Sequence, residues 1–456
     1  MSLCVIARDE ERMLLDCLAS AEGAVDEVVV VDTGSIDRTA EIARAAGARV
    51  VSLPWADDFS APRNEAARAA TGDFLLQLDA DERLLPGAAE ALRAAVRTPG
   101  VDAWTLRLHN AARLDAEPEA VRQGRERLGP AVSLPRLIRR APDLAWRGIV
   151  HESISDWLAA RGMRLGRAEA EILHLGYADE VRAARGKEAR NLGLLRRRCA
   201  LEPDNVTPFG YLALELIAAG DTGEACQVVE AGWALVPSQP TDRSLLRIAV
   251  ARGQVALREE RPEAVLEAVE VGLRRDGAQP DLHHLAGQAL ALWAARDGPE
   301  RQARLARAGK AFEEALAFEG ADGLRQYVAG ASSYASWNGL GGVRLAEGRH
   351  AEAQRCFERA LLARPGDRDA RLGIGEVTVR RGNAQGALVV LEPLLDERPD
   401  GWLLAALAAR ALGAHRDAEE MLRRAGDRLG RGFVAPHRAL YLGRARESTP
   451  RQGRAP

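Results

Sequence analysis

The pattern of apolar residues changes at about residue 200, and this change limits what the chain can fold into. Up to about residue 110, short β-branched runs alternate with stretches that carry apolar residues at helical spacing. Such alternation is typical of βαβ units, in which helices cover both faces of a mainly parallel sheet. Beyond residue 200 the strand-like runs end, and amphipathic helices rich in alanine and leucine follow one another. The sequence therefore predicts an α/β domain followed by an all-α region.

The first part of the chain supplies the predicted elements of the sheet. Strands are predicted over residues 3–7, 27–31, 48–53 and 74–78, and helices over residues 10–21, 37–46 and 62–70. Ligands of parallel sheets collect at the carboxyl ends of the strands. Asp32 and Asp79 lie at two such ends, and this is the first indication of a site.

The helical part contains a repeat of 34 residues. Pro203 and Pro237 are 34 residues apart, and so are Pro365 and Pro399. The best copy, residues 334–367, matches the pattern of a tetratricopeptide repeat. The matching residues are Trp337, Leu340, Gly341, Ala353, Phe357, Ala360 and Pro365. We therefore expect helical repeats over residues 203–430, with degenerate copies at about 241–330.

Composition excludes several classes of protein. A chain of 456 residues with 63 basic and 66 acidic side chains is long enough for two or three domains and has no overall attraction to nucleic acid. Its five cysteines are scattered without a CxxC pair, as expected in a reducing compartment. An apolar strand-like run from residue 3 leaves no room for a signal peptide, and the apolar runs are too short to span a membrane. The expected location is the cytoplasm.

Three carboxylates follow the fourth predicted strand. Asp79, Asp81 and Glu82 occupy three of four positions directly after an apolar run. Clustered carboxylates at the ligand end of a sheet repel one another, and a divalent cation removes that repulsion. Mg²⁺ and Mn²⁺ prefer one or two carboxylates together with phosphate oxygens. Glu82 is expected in the turn that starts the next helix.

Arg63 lies in an unfavourable place for a cation. Ser60 is predicted to cap a helix, with Pro62 and Arg63 in its first turn. The helix dipole disfavours positive charge there. A bound phosphate would explain the arginine, because guanidinium and helix N–H groups both suit an anion.

Seven stretches, in this order, resemble family 2 glycosyltransferases with a GT-A fold. They read SLCVIARDEE, DEVVVVDTGSIDRTAEIA, WADDFSAPRNEA, GDFLLQLDADE, LPRLIRR, WRGIVHE and ILHLGY. The chain is most similar to a bacterial subgroup with C-terminal tetratricopeptide repeats, which includes the peptide S-glycosyltransferases of glycosylated bacteriocins. The resemblance covers about residues 1–200.

The resemblance implies a GT-A domain over residues 1–178 and a connecting helix over 179–202, before the repeats and a flexible tail at 431–456. It also implies an inverting, metal-dependent hexosyltransferase that takes a sugar from a nucleotide-diphosphate sugar, usually a UDP-sugar. The implied nucleotide-sugar-binding residues are Arg8, Asp9, Asp32, Thr33, Arg63 and Asp79. Many relatives have a second Asp where this chain has Thr33, which leaves open the side chain that meets the base.

The resemblance also implies the metal ligands and the base. Asp79 and Asp81 would hold Mg²⁺ or Mn²⁺ on the diphosphate, with His174 as a third ligand. Glu152 is the first choice for the general base, and His151 is the alternative. The structural alternative, in which His151 and Glu152 only pin a loop, remains open.

The acceptor and the partners stay open at this level. We expect the repeats to bind a peptide, protein or glycan acceptor, or a partner subunit, in a concave face. One alternative is an enzyme of lipopolysaccharide core or another envelope glycan, with peripheral membrane contact. The other alternative is a scaffold with a degenerate GT-A domain. A homodimer is also considered, because repeat arrays often dimerise.

Overall fold

The computed structural model describes residues 1–176, 178, 187–239, 245–296, 298–321 and 326–429. Three predicted features lie outside these residues: the C-terminal tail 431–456, the first part of the connecting helix at 179–186, and residue 177, which ends the stretch ILHLGY.

Strands and helices alternate in the first part of the chain, as predicted. The elements are β1 (Ser2–Ala7), α1 (Leu14–Ser20), β2 (Glu27–Asp32), α2 (Thr39–Ala45), β3 (Arg49–Ser52), α3 (Ser60–Ala69), β4 (Phe74–Asp79), β5 (Glu82–Leu84), α4 (Ala88–Val96), β6 (Ala103–Asn110), α5 (Pro118–Arg122), β7 (Val132–Arg139), α6 (Ser155–Ala160) and β8 (Leu165–His174). All four predicted strands and all three predicted helices are confirmed.

The strands form one sheet in the order β3-β2-β1-β4-β7-β6-β8-β5. Strands β3, β2, β1 and β4 are parallel, whereas β7 is antiparallel to both β4 and β6. The sheet is therefore mixed, and the expectation of a mainly parallel sheet holds only for its first half. The connection between β6 and β7 contains only the short helix α5, and antiparallel neighbours do not need a long crossover.

Apolar side chains cover both faces of the sheet. Leu3 and Val5 of β1 pack with Leu14 of α1 and Leu92 of α4 in one core. The opposite face carries a second core, which includes Ala66 of α3. Strands buried on both faces produce the continuous apolar runs seen in the sequence.

Only helices follow in the described residues of the second part, together with two short 3₁₀ turns. They are α7 (Lys187–Leu201), α8 (Val206–Ala219), α9 (Thr222–Ala234), α10 (Leu245–Arg258), α11 (Pro262–Arg275), α12 (Pro280–Ala295), α13 (Arg301–Leu316), α14 (Tyr334–Ala346), α15 (His350–Ala363), α16 (Arg368–Arg380), α17 (Ala384–Leu391), α18 (Gly401–Ala411) and α19 (His415–Leu429). None of these described helices is long and apolar enough to cross a membrane.

Close packing of paired helices explains the small residues of the repeat. A methyl group added at Gly341 of α14 would lie 2.7 Å from the Phe357 ring of α15. Gly287 of α12 has the same relation to Phe312 of α13, also at 2.7 Å. The degenerate middle of the repeat region therefore keeps the helix pairing although it has lost most of the sequence pattern.

The described residues form two compact units. The first comprises residues 1–251 and 320–321, and the second comprises residues 252–319 and 326–429. The division falls inside α10, so the first helices of the repeat region group with the α/β domain. The domain boundaries expected at residues 178 and 202 stay predictions.

Candidate active site

The carboxyl ends of the parallel strands bring the predicted residues to one edge of the sheet. Asp32 of β2 pairs in register with Ala7, the last residue of β1. On the other side of β1, Asp79 of β4 pairs with Ile6. The two aspartates therefore flank the end of the first strand, as the order of the strands predicted.

The loop after β2 is built around Asp32 and Thr33, which are both buried. Asp32 Oδ1 accepts a hydrogen bond from the Ser35 amide at 3.0 Å. The backbone N–H and the hydroxyl of Thr33 both donate to the Ala7 carbonyl, at 3.0 and 3.2 Å. One carboxylate oxygen of Asp32 therefore stabilises the turn.

Arg8 and Asp9 follow β1 beside this loop. Asp9 has a φ of 55°, its amide donates to Ser35 Oγ, and its Oδ1 accepts from the Ile36 amide at 2.8 Å. The Arg8 side chain is 52% exposed and lies 3.8 Å from Asp9 Oδ2. Arg8, Asp9, Asp32 and Thr33 therefore form one group, separate from Arg63.

Arg63 lies in the first turn of α3, as predicted, but its guanidinium is already paired. Asp58, not Ser60, accepts the capping hydrogen bonds, which come from the Ser60 and Ala61 amides. The buried Arg63 side chain donates to Asp79 Oδ1 at 3.0 Å and to Glu152 Oε1. These carboxylates account for a cation at the helix start without a ligand. The contact of Arg63 with nucleotide charge stays a prediction.

A second buried arginine, Arg136 of β7, completes the network. Arg136 Nη2 lies 3.3 Å from Asp79 Oδ2 and also donates to Glu82 Oε1. Glu82 is 1% exposed, begins β5, and accepts from the Asp79 amide at 3.0 Å. The expectation that Glu82 belongs to a turn before the next helix is wrong. Glu82 is the first residue of β5, and its carboxylate is buried in an ion pair with Arg136.

The charges of this network shift the pKa values of its members. Burial alone would raise the pKa of Asp79, but Arg63 and Arg136 hold it well below its ordinary range. Burial raises the pKa of Glu82 to about 7, against the charge of Arg136. Burial would lower the pKa of Arg63, but Asp79 and Glu152 raise it. Arg63 and Asp79 are therefore charged at neutral pH.

Asp81 and His174 form a separate pair beside this network. His174 Nε2 lies 3.6 Å from Asp81 Oδ1, and His174 Nδ1 donates to Asn110 Oδ1 at 2.8 Å. Burial alone would lower the pKa of His174, but Asp81, Glu82 and Asp79 raise it, so the protonated ring is favoured and its Nε2–H faces Asp81. In the neutral ring, the bond from Nδ1 places the lone pair on Nε2. A methyl group at Gly176 would lie 2.4 Å from Asp81 Oδ2 and 2.6 Å from His174 Nε2. The space between the two side chains depends on that glycine.

The donor atoms at this edge suit a hard divalent ion, although they do not form a closed cage. Within the described residues, no group of three or more His, Cys, Asp or Glu side chains is arranged to hold a metal. Mg²⁺ and Mn²⁺ usually take only one or two protein ligands and complete their shell with water and phosphate oxygens. The Asp81 carboxylate is a donor of the kind that these ions prefer, and the roles of Asp81 and His174 as ligands stay predictions. Asp79 faces two arginines, and its role as a ligand stays a prediction.

The loop from Trp146 to Ser153 carries both candidate bases. Asn64 of α3 holds its start, accepting from the Trp146 amide at 2.7 Å and donating to the Trp146 carbonyl at 3.0 Å. Glu152 points to Arg63, while the His151 ring stacks on Tyr211 of α8 with centroids 4.1 Å apart. The structure therefore separates the two candidates: Glu152 faces the carboxylate–arginine network, and His151 faces the helices.

Sequence reasoning missed three residues of this site, Arg136, Asn110 and Gly176, and misplaced a fourth, Glu82. An arginine inside the apolar strand of LPRLIRR is a signal that could have identified Arg136. The burial of Glu82 could not be read from the sequence. Asn110 gave no signal, because it acts through His174, which is distant along the chain, and Gly176 gave none, because Asp81 and His174 come together beside it only in the folded chain.

Comparison with known proteins agrees with this arrangement. The family model described as glycosyl transferase family 2 matches residues 2–113, which contain β1 to β6 and both Asp79 and Asp81. A tetratricopeptide repeat model matches residues 344–411.

Related proteins share one or both parts. A TPR repeat-containing protein of Synechococcus elongatus is 34% identical over 296 residues, which are 62% of this chain and 70% of the relative. An uncharacterized glycosyltransferase of Rickettsia typhi is 34% identical over 84 residues, 18% of this chain and 28% of that protein. The SPbeta prophage-derived glycosyltransferase SunS of Bacillus subtilis is 22% identical over 225 residues, 46% of this chain and 48% of that protein. The chain therefore carries a glycosyl transferase family 2 domain in its N-terminal part and tetratricopeptide repeats in its C-terminal part.

Proposed function

We propose that the chain transfers a hexose, with inversion, from a nucleotide-diphosphate sugar, in the first instance a UDP-sugar. The reaction depends on a divalent cation, Mg²⁺ or Mn²⁺. The pair of Asp81, which follows β4, and His174, which ends β8, kept open by Gly176, is the observation that carries this proposal. We assign the nucleoside to the loop that contains Asp32, at the end of β2, which flanks β1 on the side opposite to β4.

Asp81 and His174 would hold the cation, with Asp79 alongside. The cation supplies positive charge where negative charge develops on the leaving diphosphate. Asn110 fixes the tautomer of His174, and Arg63 and Arg136 fix Asp79. Arg8, Asp9, Asp32 and Thr33 line the nucleoside side of the site.

Glu152 is the proposed general base. As the acceptor oxygen or sulfur forms its bond to the anomeric carbon, its proton passes to the Glu152 carboxylate. The bond between the anomeric carbon and the diphosphate oxygen breaks on the opposite face, and the nucleoside diphosphate leaves with that electron pair. Arg63 donates to Glu152 and so orients the carboxylate. His151 remains the alternative base.

The acceptor is a peptide, a protein or a glycan. Tetratricopeptide repeats commonly present a concave face to peptides, which favours a peptide or protein acceptor. An envelope glycan is the alternative acceptor. A homodimer and peripheral contact with a membrane stay predictions.

Nucleotide release from a panel of nucleotide sugars, with Mn²⁺, Mg²⁺ or EDTA, tests this function. We expect release from at least one donor, its loss in EDTA, and a decrease on the order of 100-fold for Asp81→Asn. Asp16→Asn is the matched control, because the Asp16 side chain is 73% exposed and lies in α1. Absence of both nucleotide binding and release with every donor would overturn the proposal.

A further inference from the structure

The loop that carries Glu152 has a backbone conformation that is unfavourable without support from other parts of the protein. Gly148 has a φ of 95° and His151 a φ of 50°, so two of four consecutive positions lie in the left-handed region. A residue with a side chain, such as His151, adopts that region only when its surroundings enforce it. The position of Glu152, the next residue, therefore depends on contacts from outside the loop.

One set of contacts comes from α3 and the residues before it. The Phe59 amide donates to the Ile149 carbonyl at 2.9 Å, and Asn64 holds both polar backbone groups of Trp146. Arg63 binds the Glu152 carboxylate itself. This side belongs to the α/β domain and is part of the site already described.

The other set comes from α7, the helix that connects the α/β domain to the repeats. Arg198 is 4% exposed, and its Nη1 donates to the Val150 carbonyl at 2.7 Å and the His151 carbonyl at 3.3 Å. Glu202, one turn later, accepts from Arg198 Nε at 2.9 Å and so fixes the guanidinium. A methyl group at Gly148 would lie 2.3 Å from Arg198 Cζ. The absence of a side chain at Gly148 therefore leaves the space that the Arg198 guanidinium occupies.

A ring stack extends this contact into the repeats. The His151 ring lies parallel to Tyr211 of α8, at 7° and 4.1 Å between centroids. The guanidinium of Arg247 from α10 lies over the Tyr211 ring, 4.0 Å from the centroid of that ring. Stacking on aromatic rings fixes both the plane and the distance of a side chain. Helices α7, α8 and the first part of α10 belong to the same compact unit as the α/β domain.

We propose that Arg198 and Tyr211 are positioning residues for Glu152, and that the helices from α7 to α10 are part of the catalytic unit. Arg198 fixes the backbone on the N-terminal side of Glu152, and Tyr211 fixes the ring of His151. A ligand that displaces α8 would therefore displace Glu152 through Tyr211 and His151. In this way binding to the first repeat helices would change the rate of the reaction. The inference rests on the proposed function, in which Glu152 is the base.

Steady-state kinetics of Arg198→Met and Tyr211→Leu test the inference. We expect kcat to fall roughly 10- to 100-fold, the scale of a misplacement of about 1 Å at a reacting group. The dissociation constant of the nucleotide, measured by calorimetry, stays within about twofold, because the donor side is untouched. Tyr211→Phe keeps the stack and restores kcat.

Matched controls separate positioning from general loss of stability. Arg196→Met lies in the same helix as Arg198, but Arg196 pairs with Glu224 instead of the loop, at 2.6 Å. Tyr334→Leu removes a ring that also carries a guanidinium, at 4.9 Å, in another repeat. Both controls keep wild-type kcat.

Hydrogen exchange of peptides that cover residues 146–153 supplies a readout independent of activity. Arg198→Met speeds exchange in this loop while the Arg196→Met control does not. If exchange and kcat of both test variants match the controls while Glu152→Gln is inactive, the inference is overturned and the proposed function stands. If the wild type neither binds nor releases nucleotide with any donor, the proposed function fails, and exchange alone decides whether Arg198 holds the loop.

Discussion

Replacing Arg136 with methionine is the most informative perturbation of the buried network. The network contains the carboxylates of Asp79, Glu82 and Glu152 and the guanidinium groups of Arg63 and Arg136. Arg136→Met leaves three carboxylates with one guanidinium. Methionine fills a similar volume, so lost packing contributes little to the effect.

The magnitude follows from the burial of the partners. Arg136 is 8% exposed and Glu82 1% exposed. Removal of one partner of a buried pair costs up to about 3–5 kcal/mol, and the loss lies at the lower end of this range at neutral pH, because Glu82, with a pKa of about 7, takes up a proton when Arg136 is absent. Glu82→Gln keeps an oxygen for the Asp79 amide and removes the charge. We therefore expect the double variant Arg136→Met, Glu82→Gln to be more stable than Arg136→Met alone.

Hydrogen exchange of peptides from β4 and β7 measures the free energy of opening of the first unit separately from the second. The control is Arg38→Met, because the ion pair of Arg38 with Glu41 is exposed on both sides, at 70% and 69%, and is worth at most about 1 kcal/mol. Two results would refute the reasoning. One is a loss below 1 kcal/mol for Arg136→Met, and the other is a double variant no more stable than Arg136→Met alone.

Three further predictions concern Gly176 and two buried groups of α12. Gly176→Ala raises the Mn²⁺ concentration for half-maximal activity by roughly 10- to 100-fold. The control Gly193→Ala does not, because a methyl group at Gly193 meets nothing within 4 Å. Equal Mn²⁺ requirements of the two variants would contradict the role of Gly176. Burial raises the pKa of Asp281 to about 6 from 3.8, so the contribution of Asp281 to the stability of the second unit falls by about 3 kcal/mol as pH rises from 4 to 6; Asp281→Asn removes this contribution in urea denaturation. Burial lowers the pKa of His284 to about 4 from 6.5, so the contribution of His284 falls by about 3 kcal/mol as pH drops from 6.5 to 4, and the two contributions largely cancel in the wild type. His284→Gln removes that opposite contribution, and pH profiles parallel to the wild type would show that either group is not responsible.

The periodicity of the chain was sufficient to predict the layers of the fold. Runs buried on both faces have to be continuous and apolar, and paired helices need small residues at fixed spacing, so both patterns are visible along the sequence. The antiparallel pairing of β7 with β4 and β6 was not predicted, because strand direction depends on connections whose course has no periodic signal. The helices at residues 245–316 were expected only as degenerate repeats, since Gly287 and Phe312 keep the contact without the rest of the pattern.

The same division applies to the candidate site. That Asp32, Asp79 and Asp81 follow strands can be read from the chain alone, because an apolar run that ends in a carboxylate is a local feature. The partner of each charge depends on the folded structure. Arg63 meets Asp79 and Glu152 instead of solvent, Glu82 is buried against an arginine 54 residues away, and Arg198 reaches the loop of Glu152 across 48 residues. Electrostatic partners depend on distances in space, and those distances are set by the packing of the sheet and helices and not by the order of residues along the chain.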